Sequence, residues 1–194
     1  MTHNTPLDKY IEQAKDAPPR PLLVEAVGYV DDKGEALDLG AGALNDSRHL
    51  LSIGFKRVTA VDMDEASKEK AKTFSFAGFT FVHSTYAEFK FPKERYDLVN
   101  AQYALPFNPP DTFNEVFEKI IGSMKKGGVF TGQFFGDRDS WNVRDGKKTF
   151  HTIEEAKRLL SKMNIVEFRE DEGDQANGHG IPAHWHVFHF IVIK

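Results

Sequence analysis

The residues best placed to do chemistry in this chain form a short spaced set, Asp38-x-Gly40-Ala41-Gly42, followed about 20 positions later by Asp62. Glycines in a tight turn let the backbone approach a ligand closely. A carboxylate closing the next strand can accept hydrogen bonds from both hydroxyls of a ribose. The set therefore asks for a ligand that contains a nucleoside.

Charge narrows the choice of nucleoside. The dinucleotide fingerprint G-x-G-x-x-G would need its third glycine where this chain has Asn45, and Asp38 would repel a pyrophosphate. S-adenosylmethionine brings a cationic sulfonium and an α-ammonium, which a carboxylate in the turn attracts. A methyl donor is the expected cofactor. The alternatives are an NAD-dependent oxidoreductase and a non-catalytic protein that binds S-adenosylmethionine without turnover.

Such a turn has to sit between two strands, and the pattern supplies them at 35–39 and 57–61. A helix between them starts with Asp46 as N-cap and ends at Gly54. Asp64 suits the N-cap of a helix over 65–76. Strands follow at 79–82 and 96–101, then a helix over 111–124, and a strand over 129–135 that opens from Gly127-Gly128. Thr152 caps a helix over 153–163. Strands at 165–170 and 184–193, joined by a polar loop, form an antiparallel hairpin at a sheet edge. Upstream, helices over 7–17 and 22–30 flank Pro18-Pro19-Arg20-Pro21, so residues 1–30 read as a helical cap. This alternation predicts one α/β domain over 1–194, a doubly wound, mostly parallel sheet with helices on both faces.

Composition excludes several classes. The 194 residues contain no cysteine, which removes disulfides, thiolate metal sites and a cysteine nucleophile. With 25 basic against 29 acidic residues, a net charge of −4, no general field favours nucleic acid or anionic lipid. No stretch approaches the ~20 apolar residues of a membrane span, and the N-terminus lacks a signal-peptide pattern, so a cytoplasmic protein is expected.

Asp38-x-Gly40-x-Gly42 with Asp62 resembles the class I S-adenosylmethionine-dependent methyltransferases, whose first motif reads acid-x-Gly-x-Gly-x-Gly and whose second is an acid ending strand two. Leu44 stands at the last glycine. The resemblance implies a seven-stranded Rossmann-like sheet with its last strand antiparallel. It places Asp38 at the amino-acid end of the cofactor, Gly40, Ala41 and Gly42 along it, Asp62 on the ribose and Met63 against adenine. Where the family often has an acid for the adenine amino group, this chain offers Thr85, with the Tyr86 N–H for a ring nitrogen. Asn100, Ala101 and Gln102 match the segment beside the methyl group, and Tyr103 can pack on the sulfonium side. Tyr10 and Arg20 match positions that reach the methionine carboxylate in similar small methyltransferases. The stretch 102–107 and the short length look most like the tellurite-resistance type.

Methyl transfer is an in-line displacement in which alignment supplies much of the acceleration. No catalytic dyad is visible, and none is required. With no inserted domain to hold a macromolecule, a small-molecule acceptor is expected. Arg138 and Trp141 after strand five, and His151, are its candidate contacts. His179, His184, His186 and His189 read as strand packing, and no metal is expected. Seventeen phenylalanines point to core packing, with a minority able to wall an apolar pocket.

Overall fold

The computed structural model describes residues 14, 17–143, 146–176 and 182–194. Eight strands and five α-helices alternate along them: α1 (Pro21–Val27), β1 (Glu35–Leu39), α2 (Asn45–Ser52), β2 (Arg57–Asp62), α3 (Glu65–Lys72), β3 (Phe79–His83), β4 (Tyr96–Ala101), α4 (Pro110–Ser123), β5 (Met124–Gly136), β6 (Phe150–His151), α5 (Ile153–Leu160), β7 (Asn164–Ala176) and β8 (Pro182–Ile193). The main sheet runs β3-β2-β1-β4-β5-β8-β7, with β6 pairing off the end of β5. Strands β1 to β5 pair in parallel; β8 lies antiparallel between β5 and β7. This is the expected Rossmann-like sheet with its C-terminal antiparallel hairpin.

Side-chain alternation divides the core into two layers. On one face α1 and α2 bury Leu22, Leu23, Ala26 and Leu50 against Ala36, Leu98, Val129 and Ile191. On the other, α4 and α5 bury Phe113, Phe117, Ile120 and Leu160 against Leu37, Val99, Phe130, Phe134 and Phe190. The phenylalanines are concentrated in this second layer, as core packing.

Several boundaries differ from the sequence expectation. The second helix is capped by Leu44, at φ +64°, rather than by Asp46, which lies inside its first turn. Asp64 does cap α3, accepting from Ala66 N–H at 2.8 Å. Thr152 forms a full capping box with Glu155. β5 begins at Met124 because the Gly127 turn, φ +79°, is absorbed as an irregularity inside the strand. The hairpin arms are longer than expected, and pairing continues from Glu172↔His186 to Ala176↔Pro182. Beyond the core the β7 arm, Glu172-Gly173-Asp174-Gln175, has no apolar alternation to mark it, whereas the β8 arm alternates Ala183 and Trp185 with His184 and His186.

Candidate functional site

Because β1, β2, β4 and β5 are parallel, their carboxyl ends share one edge of the sheet, and the strand order reverses between β1 and β4. Ligands of such sheets bind in the crevice at that reversal. The turn after β1 occupies it. Gly40 (φ +69°) and Gly42 (φ +47°) both adopt left-handed backbone. A Cβ at Gly40 would lie 2.6 Å from Ala104 Cβ and 2.7 Å from the Tyr86 hydroxyl, so only glycine fits. Leu44 also adopts left-handed backbone (φ +64°), and its fully buried side chain packs with Ala41 and Ala60.

Asp62 closes β2 against this turn. One carboxylate oxygen accepts Gly42 N–H at 2.8 Å, the other Asp64 N–H at 2.8 Å. Each oxygen keeps a second lone pair for a ligand hydroxyl. Burial raises the Asp62 pKa despite those amides. Met63 beside it is 68% exposed, an apolar surface that a flat ring could cover.

Asp38 is almost wholly buried. It accepts Ser47 Oγ–H at 2.6 Å and Asn100 Nδ2–H at 2.8 Å, while burial, then the neighbouring Asp46, push its pKa up. Asp46 joins this group: it accepts from Asn100 Nδ2 at 3.1 Å and from the Arg20 backbone N–H at 2.9 Å. The start of α1 is thereby tied over the β1–β4 crevice. The Arg20 guanidinium lies 5.3 Å from the centroid of the Tyr103 ring.

From Asp38 a row of polar side chains crosses the sheet on one face. Gln102 Nε2 donates to Asn100 Oδ1 at 2.9 Å, and Gln133 Nε2 donates to Gln102 Oε1 at 2.8 Å. Gln133 Oε1 accepts Tyr103 N–H at 2.6 Å, which holds Tyr103 at φ +52°, a conformation that costs a non-glycine residue about 1–3 kcal/mol. One strand further, His189 Nδ1 lies 3.5 Å from Gln133 Nε2, and its Nε2 is 3.0 Å from Asp171 Oδ2. Phe107, Phe135, Trp141 and Trp185 stand beside this row, with Phe107 half exposed and the two tryptophan rings 5.0 Å apart.

The residues expected from sequence thus divide. Asp38, Gly40, Ala41, Gly42, Asp62, Met63, Asn100, Ala101, Gln102, Tyr103 and Arg20 gather at the crevice. Tyr86 reaches it with its buried hydroxyl, against the Gly40 turn, rather than by its backbone alone. The Thr85 hydroxyl donates to Glu88 Oε2 at 2.7 Å and accepts Glu88 N–H at 3.3 Å, so it serves its own loop. Trp141 belongs to the aromatic group. Tyr10 lies outside the described residues.

Two acceptor candidates are placed away from the crevice. Arg138 bonds Glu170 and Glu172 at 2.7–2.8 Å around the His186 ring, on the sheet face away from Gln133, so its charge is already compensated by strand partners. Those carboxylates and His186 form a metal-sized group, but the guanidinium lies among them. His151 packs between Phe113 and Phe134 in the second core layer, where burial lowers its pKa to about 4. Sequence reading missed Ser47, Gln133 and Asp171, and assigned His189 to packing. The available signal was a glutamine in the run 129–135, whose only other polar side chain is Thr131.

Residues 36–128 match a family model described as a methyltransferase domain. No curated protein matches the chain. Among solved structures, the 1,6-didemethyltoxoflavin-N1-methyltransferase of Burkholderia thailandensis, with bound 1,6-didemethyltoxoflavin and S-adenosylhomocysteine, is 20% identical, with TM-score 0.66, covering 97% of this chain and 87% of its own. TehB from Haemophilus influenzae is 16% identical, TM-score 0.72, with 96% and 66% covered. A Haloferax volcanii methyltransferase, solved in complex with the Trm112 activator, is 14% identical, TM-score 0.72, with 96% and 92% covered.

Proposed function

We propose, from the methyltransferase-domain match over residues 36–128 and the class I order of the sheet, that the chain transfers a methyl group from S-adenosylmethionine to a small-molecule acceptor. The observation that carries this reading is the Gly40–Gly42 turn locked to Asp62 through the Gly42 amide, at the reversal of strand order. Bound there, S-adenosylmethionine would supply a methyl carbon activated by the sulfonium.

The chain's own residues then have distinct tasks. Asp62 would take the ribose hydroxyls through the lone pairs its amide contacts leave open. Met63 and Tyr86 would flank the adenine side. Asp38, Asp46 and Asn100 present a negative, hydrogen-bonded wall to the ammonium end, while Arg20 lies where it can meet a carboxylate. Gln102 and Gln133 fix Tyr103 beside the methyl position. The bare class I architecture, with no inserted domain among the described residues, supports a small acceptor, as does the neighbour that holds 1,6-didemethyltoxoflavin. The net charge of −4 gives no support to a nucleic-acid acceptor. No helix among the described residues is long and apolar enough to cross a membrane.

Calorimetric titration with S-adenosylhomocysteine tests the donor site. Asp62→Ala is expected to lose about 1.5–3 kcal/mol of binding, the size of charge-assisted hydrogen bonds to a carboxylate. Unchanged affinity, or binding of NAD in place of S-adenosylhomocysteine, would sink the reading.

A further inference from the structure

His189 has a geometry that strand packing does not demand. It sits on β8 on the face shared with Asp38, Asn100 and Gln133, opposite Gln133 on β5 and Arg169 on β7. Its Nε2 meets the Asp171 carboxylate at 3.0 Å, which fixes the proton there and leaves the Nδ1 lone pair toward Gln133, 3.5 Å away. Gln133 Nε2 is committed to Gln102 at the shorter distance of 2.8 Å. Nδ1 is thus the weakly engaged acceptor in a row that ends, through Gln102, at the crevice.

The surroundings define what could approach it. Phe135 and Trp185 lie on the same face toward the strand ends, with Trp141 and Phe107 completing an aromatic wall. Trp185 pairs opposite Gly173, so the β7 residue directly across from it has no side chain, and its indole N–H is buried without a hydrogen-bond partner among the described residues. An aromatic body bearing an oxygen matches both the wall and this donor.

We propose that His189, oriented by Asp171, is the general base that deprotonates the methyl acceptor, and that the acceptor is an aromatic compound carrying an ionisable O–H. This rests on the methyl-donor reading above. His189 Nδ1 takes the O–H proton, and the oxygen lone pair forms the new O–CH3 bond. The methyl–sulfur bond breaks with its electron pair left on sulfur, giving neutral S-adenosylhomocysteine. The imidazolium, paired with Asp171, then returns its proton to solvent. Burial, opposed by Asp171 and reinforced by Arg169, lowers the His189 pKa, so the ring is neutral and basic at pH 7. Other groups facing it are Gln133 and the Tyr103 ring, with Arg20 beyond that ring.

The test uses ring-substituted phenols of graded acidity, from 4-methoxyphenol to 4-nitrophenol, with S-adenosylhomocysteine release as readout. Wild-type protein is expected to methylate them. His189→Asn should slow the weakly acidic phenols by about 100-fold or more, while 4-nitrophenol, already partly ionised near neutral pH, loses far less. S-adenosylhomocysteine binding, measured by calorimetry, should stay within about twofold and reports folding of the variant. Asp171→Asn should move the acidic limb of the pH–rate profile, and the His189 titration followed by 15N NMR, to lower pH. Equal slowing across the series, an unmoved limb and titration, or a protein that binds S-adenosylhomocysteine yet methylates no phenol would each overturn the proposal. Failure of the wild type to bind S-adenosylhomocysteine would overturn the donor reading beneath it.

Discussion

The two halves of the crevice are built by different means. On the β1–β2 side the ligand surface is mostly backbone: left-handed glycines, a left-handed leucine and one carboxylate satisfied by main-chain N–H groups. On the β5–β8–β7 side it is side chains, a row of amides ending in a histidine–aspartate pair beside an aromatic wall. A backbone site tolerates little change in shape and can serve one ligand shared across a family. A side-chain site can be rewritten residue by residue without disturbing the sheet. Under the proposed reading the donor end rests on main-chain geometry and the acceptor end on replaceable side chains.

The harshest way to break this contrast is Gly40→Ala. The new Cβ would meet Ala104 and the Tyr86 hydroxyl at 2.6 and 2.7 Å in a left-handed conformation. A loss of about 2–5 kcal/mol in denaturant stability is expected from overpacking and backbone strain. S-adenosylhomocysteine affinity should fall with it. A variant as stable as wild type would show that the turn is looser than a backbone-built site requires.

Leu44→Gly sharpens the same point from the opposite direction. It restores the glycine and relieves about 1 kcal/mol of left-handed strain, but it deletes a fully buried leucine, at about 2–5 kcal/mol for large-to-small changes. Net destabilisation of about 1–4 kcal/mol is expected in urea melts. A gain in stability would mean that Leu44 is tolerated only for function.

This contrast also explains what could be read from the sequence. Asp38, Gly40, Gly42 and Asp62 are local: each acts where its own strand ends, so spacing alone located them. The parallel strands β1 to β4 announced themselves as apolar runs. Gln133, His189 and Asp171 meet only because β8 inserts between β5 and β7, a pairing of distant segments that no spacing records. The polar β7 arm of the hairpin carries no apolar alternation to mark its length. Arg138 looked free in a charged loop, but its partners Glu170 and Glu172 lie more than thirty residues away.

The smallest effect separates two histidines, His151 and His189. His151 looked like an acceptor contact, whereas the structure packs it between Phe113 and Phe134 with its Nε2 buried and unpartnered among the described residues. Burial lowers its pKa from 6.5 to about 4, so folding favours the neutral ring. The stability it contributes is complete above pH 6.5 and is lost as pH falls toward 4, by about 2–3 kcal/mol across that window. His151→Phe should stay within about 1 kcal/mol of wild type at pH 7, keep S-adenosylhomocysteine binding, and flatten the loss of stability at acid pH. His189→Asn should flatten that profile less, because the fall in the His189 pKa caused by burial is partly offset by Asp171. If the two variants changed the acid limb of stability alike, the assignment of one histidine to the core and the other to the crevice would fail.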